Sequence, residues 1–319
     1  MKLRGAVIGV GYLGNFHAQK YRSLANGQFE DKINFVGVCD LNAAQAQKVA
    51  TELSTQSFSN PKDLIGKVDF VSIATVTSSH YEMAKLFLQN GIHVNVEKPM
   101  TVTVAEAEEL LAIAKQNNLI LCVGHSERFN PAFRAVQGLV KKPVHIDLQR
   151  HASFKPRGSD VSVAHDLMIH DMDLAISLDS TPCKIVHAVG GKVLTKTLDW
   201  ADCDLEFASG ATAHISVSRM APQMTRFMKV SDGHRAYEAN LQTGDYAVLT
   251  PSKTEVGFSV EQKNAGKGDN LLLETEAFIR AVLGEADPVI TGRHGLEALR
   301  LVEEVVKRIE HAGDSGRKL

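Results

Sequence analysis

Two groups of residues in the chain have the types and spacing to carry out chemistry. The first is Glu97-Lys98-Pro99, at the end of the short apolar run Val94-Asn95-Val96. A lysine at the carboxyl end of a buried parallel strand lies where open α/β sheets bind their ligands. Its ammonium can polarise an oxygen and orient a substrate. The second group is Asp166 and His170, four residues apart on a helix that the pattern of residues 163–174 predicts. That spacing brings both to one face within reach of each other, and Asp173 shares that side. A carboxylate beside an imidazole orients the ring and stabilises its protonated form, as a general base requires. An ordinary ion pair on a helix has the same spacing, so the elements around these residues must decide. His165 and His170 are five apart and face different ways, which does not fit the i, i+4 pair of a two-histidine zinc helix. No metal is expected.

The first half of the chain supplies the elements that would position Lys98. Leu3-Arg4-Gly5-Ala6-Val7-Ile8 reads as a buried strand and leads into Gly9-Val10-Gly11-Tyr12-Leu13-Gly14, with a helical stretch from Asn15 to Leu24 behind it. Strand, glycine turn and helix are the context in which G-x-G-x-x-G holds a dinucleotide. Gly9 allows the tight turn, Gly11 lets the backbone approach a pyrophosphate, and Gly14 lets helix and strand pack closely; Tyr12 and Leu13 open the helix whose N-terminus takes the phosphates. A second strand, Ile33 to Cys39, ends at Asp40. An acidic residue there accepts the ribose hydroxyls of NAD and repels a 2′-phosphate, and no arginine follows at once, so NAD is expected over NADP. Asp40 is also placed to cap the next helix, 43–53. The strand Val68 to Ala74 ends in the polar loop Thr75-Val76-Thr77-Ser78-Ser79-His80, suited to lying along a cofactor, with Thr75 and His80 as candidate contacts. A helix over 81–90, the strand 92–96, a helix over 104–117 and the strand 119–123 complete an alternating series, which predicts a parallel, doubly wound sheet.

Near Gly124 the pattern changes. A polar connector, Gly124 to Pro131, leads to a helix at 131–141, a strand at Val144 to Gln149, and an irregular basic stretch containing His151, Lys155 and Arg157. From Lys184 the chain is strand-rich, with turns at Ser209-Gly210 and Asp232-Gly233. The alternation predicts a large, mostly antiparallel open sheet with one covered face. Its other face would suit a homo-oligomer, dimer or tetramer. Helices at 271–283 and 295–312 follow. The expected division is therefore a dinucleotide-binding α/β domain over 1–123 and an α+β substrate-binding and oligomerisation domain over 124–319, whose C-terminal helix can pack back on the first.

Composition sets limits on function. The 319 residues are 44% hydrophobic and 23% charged, enough for two full cores. A net charge of −2 gives no reason to expect a nucleic-acid or anionic-membrane partner. No apolar run reaches the length of a membrane span. Cys39, Cys122, Cys183 and Cys203 show no Cys-x-x-Cys spacing and read as buried hydrophobes in a reducing cytoplasm.

In combination these motifs make the chain resemble the Gfo/Idh/MocA oxidoreductases. Gly9-Val10-Gly11-Tyr12-Leu13-Gly14, Ile73-Ala74-Thr75 with His80, Glu97-Lys98-Pro99, Gly124-His125 with Arg128-Phe129-Asn130-Pro131, and Asp166 with His170 match in order along essentially the whole chain. Val76 stands where that family usually has proline. The resemblance implies a Rossmann domain followed by an α+β domain with an open sheet, and NAD(P)-dependent oxidation or reduction of a sugar or cyclitol carbon. It implies that Lys98 assists proton transfer and orients substrate, that His170 is the acid/base, and that Asp166 sits beside it; Glu97 and Lys98 border the cofactor. Phe154-Lys155-Pro156-Arg157, Asp160-Val161 and Asp166 to Asp171 look most like the subgroup that oxidises the 3-hydroxyl of UDP-N-acetylglucosamine. Arg128, Lys155 and Arg157 are then candidate substrate contacts, the last two as holders of a diphosphate. The competing expectations are a dehydrogenase of a free sugar or inositol, and a non-catalytic dinucleotide-binding sensor on the same fold.

Overall fold

Six short strands, nearly all buried, build the sheet that carries Lys98. They are β1 (Leu3–Ile8), β2 (Ile33–Cys39), β3 (Gln56–Phe58), β4 (Phe70–Ile73), β5 (His93–Glu97) and β6 (Leu121–Gly124), all parallel, in the order β3-β2-β1-β4-β5-β6. Four helices connect them: α1 (Tyr12–Ala25), α2 (Ala43–Glu52), α3 (His80–Gln89) and α4 (Val104–Gln116). The computed structural model describes residues 2–156, 161–252 and 256–314. It divides into two units, Met1–Ser126 with Asn270–Leu296 and Glu127–Asp269 with Glu297–Leu319.

Strand order reverses between β1 and β4, the switch point at which doubly wound sheets take their ligands. Local chemistry fixes the helix starts. Asn42 caps α2, its side chain accepting from the main-chain N–H groups of Ala44 and Gln45, and Thr103 with Glu106 forms a capping box on α4. Asp40, expected as a possible cap of α2, leaves that task to Asn42. In the core of this unit the ring of Tyr21 stacks between Phe35 and Phe70 at 5.9 and 5.8 Å, and its hydroxyl bonds Ser72 Oγ at 2.7 Å.

A later helix, α7 (Asn270–Val282), joins this unit, contrary to the expected division at residue 123. The reason is its apolar face. Phe278 meets the edge of Phe70 at 6.0 Å, and Ile279 is buried in the same cluster. The helix is thus a missing wall of the first core.

The second unit contains α5 (Pro131–Gln137), α6 (Ile169–Leu178) and eight strands. These are β7 (His145–His151), β8 (Cys183–Gly191), β9 (Trp200–Phe207), β10 (Thr212–Ser218), β11 (Thr225–Ser231), β12 (Ala236–Asn240), β13 (Asp245–Pro251) and β14 (Phe258–Asn264), in the order β14-β13-β12-β11-β7-β10-β9-β8. Every pair is antiparallel except β7 with β10. Alternate residues of β7, β9 and β10 are buried, the signature of a sheet with one covered face. That face packs in one cluster with Phe133 of α5, Ile169 and Met172 of α6, and Val302 and Val305 of the last helix, α8 (Gly292–Asp314).

Candidate active site

The glycine turn after β1 has the form a dinucleotide needs. Gly9 has φ +80°, a conformation that strains any other residue. A Cβ on Gly14 would overlap the carbonyl oxygen of Gly9, whereas one on Gly11 would meet nothing within 4 Å. Close packing therefore requires Gly14, while the space beside Gly11 is open, as the approach of a pyrophosphate would require. No side chain caps α1 and no acidic residue lies in its first turn, so its positive end is left for an anion. Tyr12 and Leu13 sit exposed at that end.

Asp40 is half-buried beside this turn. Its Oδ2 accepts the Val10 N–H and its Oδ1 the Asn42 N–H, each at 2.8 Å. The carboxylate thus braces the glycine turn and keeps further lone pairs for a ribose. Thr75 lies in the loop after β4 with its hydroxyl accepting from Ser79 Oγ at 2.8 Å.

His80 is another matter. The ring is buried, with Nδ1 2.8 Å from the Pro99 carbonyl and Nε2 3.2 Å from that of Thr75. Burial pushes its pKa down, against the pull of the two carbonyls. A neutral imidazole donates to one of these carbonyls, and the ring is packed between the loop after β4 and the Lys98-Pro99 segment. Glu97 is likewise enclosed, 8% exposed. Its Oε1 lies 2.7 Å from His17 Nε2 on α1, and its Oε2 accepts the Lys98 N–H at 3.3 Å. A Cβ on Gly124 would come within 2.9 Å of the carboxylate carbon and both oxygens. The last residue of β6 is glycine, and the Glu97 carboxylate fills the space that a side chain there would need. Lys98 itself is half-buried.

In the second unit, residues 164–168 form a π-helical turn that runs directly into α6. Such turns are rare and concentrate at functional sites. Asp166 lies within it and His170 just beyond, both half-buried. His165, at the same turn, bonds Glu303 of α8 at 2.7 Å, which turns it away from any shared role with His170. A cavity of about 200 Å³ brings Asp166 together with His151, Lys155, Arg219 and Arg226. Arg157 lies outside the described residues.

Arg128 donates from Nε and Nη2 to both oxygens of Asp173, at 2.7 and 2.6 Å, with a side chain only 9% exposed. This bidentate pair fixes the orientation of Arg128, the candidate substrate contact. A deeper cluster was not read from the sequence. Arg150, on β7, is buried and donates to Asp171 at 2.7 and 3.1 Å and to Glu127 at 3.4 Å, and Arg226 reaches Glu127 at 3.2 Å. Burial works against the Arg150 charge, but Asp171 and Glu127 outweigh it and push its pKa up. Arg226 stands opposite Arg150 across β11 and β7, a juxtaposition that depends on which strands pair and that the sequence does not give.

Fold and glycine turn together define an NAD-binding oxidoreductase. The chain matches the oxidoreductase family with NAD-binding Rossmann fold over residues 3–125 and the GFO/IDH/MocA C-terminal domain over 133–235, and it belongs to that family. Among individual proteins it is 33% identical over 313 residues, 97% of each chain, to UDP-N-acetylglucosamine 3-dehydrogenase of Acidithiobacillus ferrooxidans. A solved structure of that enzyme superposes with a TM-score of 0.90, at 32% identity, covering 98% of this chain and 99% of the other. The scyllo-inositol 2-dehydrogenase (NAD(+)) of Bacillus subtilis is 29% identical over 69% of this chain and 68% of its own.

Proposed function

We propose that the protein oxidises the 3-hydroxyl of a UDP-N-acetylhexosamine with NAD. The carrying observation is likeness over 97% of both chains to a UDP-N-acetylglucosamine 3-dehydrogenase, in a sequence that carries Lys98, Asp166 and His170. NAD, when bound, accepts the hydride from the sugar carbon. His170 takes the hydroxyl proton, Asp166 holds the imidazole in orientation, and Lys98 polarises the oxygen as it becomes a carbonyl. Proton and hydride leave the same alcohol, so the balance needs no further reactant. Lys155 and Arg226, which line one cavity with Asp166, suit the anionic part of such a substrate.

The test is NADH formation with UDP-N-acetylglucosamine, N-acetylglucosamine, glucose and myo-inositol, with a trap for the ketone. Turnover confined to the UDP-sugar supports the proposal. Turnover with inositol would favour the reading suggested by the inositol dehydrogenase relatives. NAD binding without turnover on any of them would point to a sensor. The chain is further read as a cytoplasmic homo-oligomer. Cys39, Cys122, Cys183 and Cys203 are all free thiols, and among the described residues no helix is long and apolar enough to cross a membrane. Sedimentation of the purified protein tests the assembly, and fractionation of the producing cells tests the location.

A further inference from the structure

Behind Lys98, within the first unit, three ionisable side chains from distant parts of the chain are buried together. His17 of α1, Glu97 of β5 and Glu274 of α7 place ligand-type atoms within 4.8 Å of one another, and all three are more than nine-tenths buried. Asn95, one strand position pair before Glu97, donates from Nδ2 to Glu274 Oε1 at 3.2 Å. Glu274 Oε2, Asn95 Oδ1 and His17 Nδ1 have no hydrogen-bond partner among the described residues.

We propose that Glu97 and Glu274 share a single proton at neutral pH, that it resides on Glu274 Oε2 and is donated to Asn95 Oδ1, and that Glu274 is thereby a positioning residue for Lys98. Two carboxylates this close and this dry cannot both ionise without a large repulsion. The partners decide which one keeps the charge. Glu97 has the His17 Nε2–H at 2.7 Å and the Lys98 main-chain N–H at 3.3 Å, whereas Glu274 has one amide donor. A proton on Oε2 completes a cyclic acid–amide pair and satisfies two otherwise orphaned oxygens at once. Charge follows the same way. Burial opposes the Glu97 charge, but His17, Lys98 and His80 outweigh it and hold its pKa below the ordinary range. Burial first, and then the Glu97 charge, push the Glu274 pKa far up. The other titratable groups facing the pair, Tyr21 and Cys122, are pushed up by burial and stay neutral.

A divalent cation is the competing occupant. Four-coordinate zinc ligands stand about 3.3 Å apart at bond lengths of about 2.0–2.1 Å, whereas His17 Nε2 and Glu97 Oε1 stand at 2.7 Å, the length of a charge-assisted N–H···O bond. The geometry favours the proton.

The role of Lys98 rests on the proposed function, so two readouts that do not use turnover carry the test. Unfolded Glu274 titrates near 4.5. The native chain holds this proton to higher pH, so the contribution is present below about 4.5 and lost as pH rises, up to tenfold in the folding constant for each pH unit. Glu274→Gln puts an N–H where the proton would be. It should fold, match the wild type near pH 5 and exceed it in folding constant at pH 8, while Glu274→Ala loses stability at both. Infrared difference spectra at pH 8 should show the stretch of a protonated carboxylic acid in the wild type and not in Glu274→Gln. A Glu274→Gln variant that is less stable at pH 8 and lacks that spectral difference overturns the proposal. So does thermal stabilisation by zinc or manganese that EDTA and Glu274→Gln each abolish. For the positioning role, the alkaline limb of kcat should move to higher pH in Glu274→Gln; an unmoved limb, with the infrared result intact, would remove the link to Lys98 and leave the shared proton standing.

Discussion

Replacing Asp40 should change which dinucleotide the protein prefers, and its geometry sets the size of the change. One oxygen is held by the Val10 N–H and the other by the Asn42 N–H, both at 2.8 Å, so the carboxylate is fixed in place before any ribose arrives. Hydrogen bonds from ribose hydroxyls to a fixed carboxylate contribute about 1.5–3 kcal/mol, and their loss in Asp40→Ala should raise the NAD dissociation constant about 10- to 150-fold. The same carboxylate opposes a 2′-phosphate. At about 4 Å in a water-like medium each unit of charge costs about 1 kcal/mol, so relief of about 2 kcal/mol should favour NADP. The ratio of NAD to NADP affinity should therefore fall by at least about 100-fold in fluorescence titrations of the two reduced coenzymes. The substitution also strips the acceptor from the buried Val10 N–H, about 2 kcal/mol, and should lower the melting temperature by about 6 °C. Asn42→Ala separates the two effects. It removes the α2 cap, costing about 1 kcal/mol, and should leave the coenzyme ratio unchanged. An Asp40→Ala protein that melts lower but keeps the wild-type ratio would show that the carboxylate only braces the turn.

His170→Ala should lower turnover by orders of magnitude while leaving NAD binding within a few-fold; equal losses in both, in a folded variant, would remove His170 from the chemistry. Gly14→Ala should abolish NAD binding, because its Cβ would overlap the Gly9 carbonyl oxygen, and a variant titrating normally with NADH would contradict the packing described. Arg150→Met leaves Asp171 buried without its cation, while Glu127 keeps Arg226 at 3.2 Å, and should cost about 3–5 kcal/mol in urea unfolding; a loss under about 1 kcal/mol would mean that Asp171 finds another partner. Asp199 is buried, which opposes its charge, but N–H groups of Thr195, Val193 and Leu194 and the Thr195 hydroxyl hold its pKa at about 2, below the ordinary 3.8. Its contribution is thus present above about pH 4 and lost as pH falls toward 2. The stability deficit of Asp199→Asn should shrink across that window, and a deficit that stays constant would assign it to packing.

What the sequence disclosed were the features that depend on neighbours along the chain. The glycine turn, the strand before it and the acidic end of β2 are local, and the alternation of β and α needs only hydrophobic period. What it hid were partners and burial. Glu97 and His17 are 80 positions apart, and Asn95 and Glu274 are 179 apart. Glu97, read from its motif as a cofactor contact, and His80, read from its loop, proved to be held by main-chain and side-chain groups that only folding brings near. One signal was available. His17 follows Gly14 by three on the buried face of α1, and a histidine on an apolar stripe requires a polar partner somewhere. Glu274 in the apolar run of α7 made the same demand. Asp166 and His170 were placed on one face by α-helical spacing, but the turn that contains Asp166 is π-helical, and no residue pattern in the run Ala164–Met168 announces it.

These networks give the Glu97-Lys98-Pro99 motif a physical meaning within the fold itself. Lys98 is gripped on both sides through its main chain. On one side its N–H is held by the Glu97 carboxylate, which is seated on His17 and can fit only because residue 124 has no side chain. On the other, the Pro99 carbonyl lies 2.8 Å from His80 Nδ1, and the second ring nitrogen lies 3.2 Å from the Thr75 carbonyl in the loop after β4. Each partner sits on a different element: α1, β6, and the junction of the β4 loop with α3. In the role proposed for Lys98, a side chain with four rotatable bonds must meet a reacting oxygen and loses much freedom in doing so. Fixing its backbone from three directions removes the part of that uncertainty that does not depend on the substrate. Glu97, Pro99, His80 and Gly124 therefore act as one unit with Lys98, and substitutions among them should be strongly non-additive, as expected for side chains that share a single function.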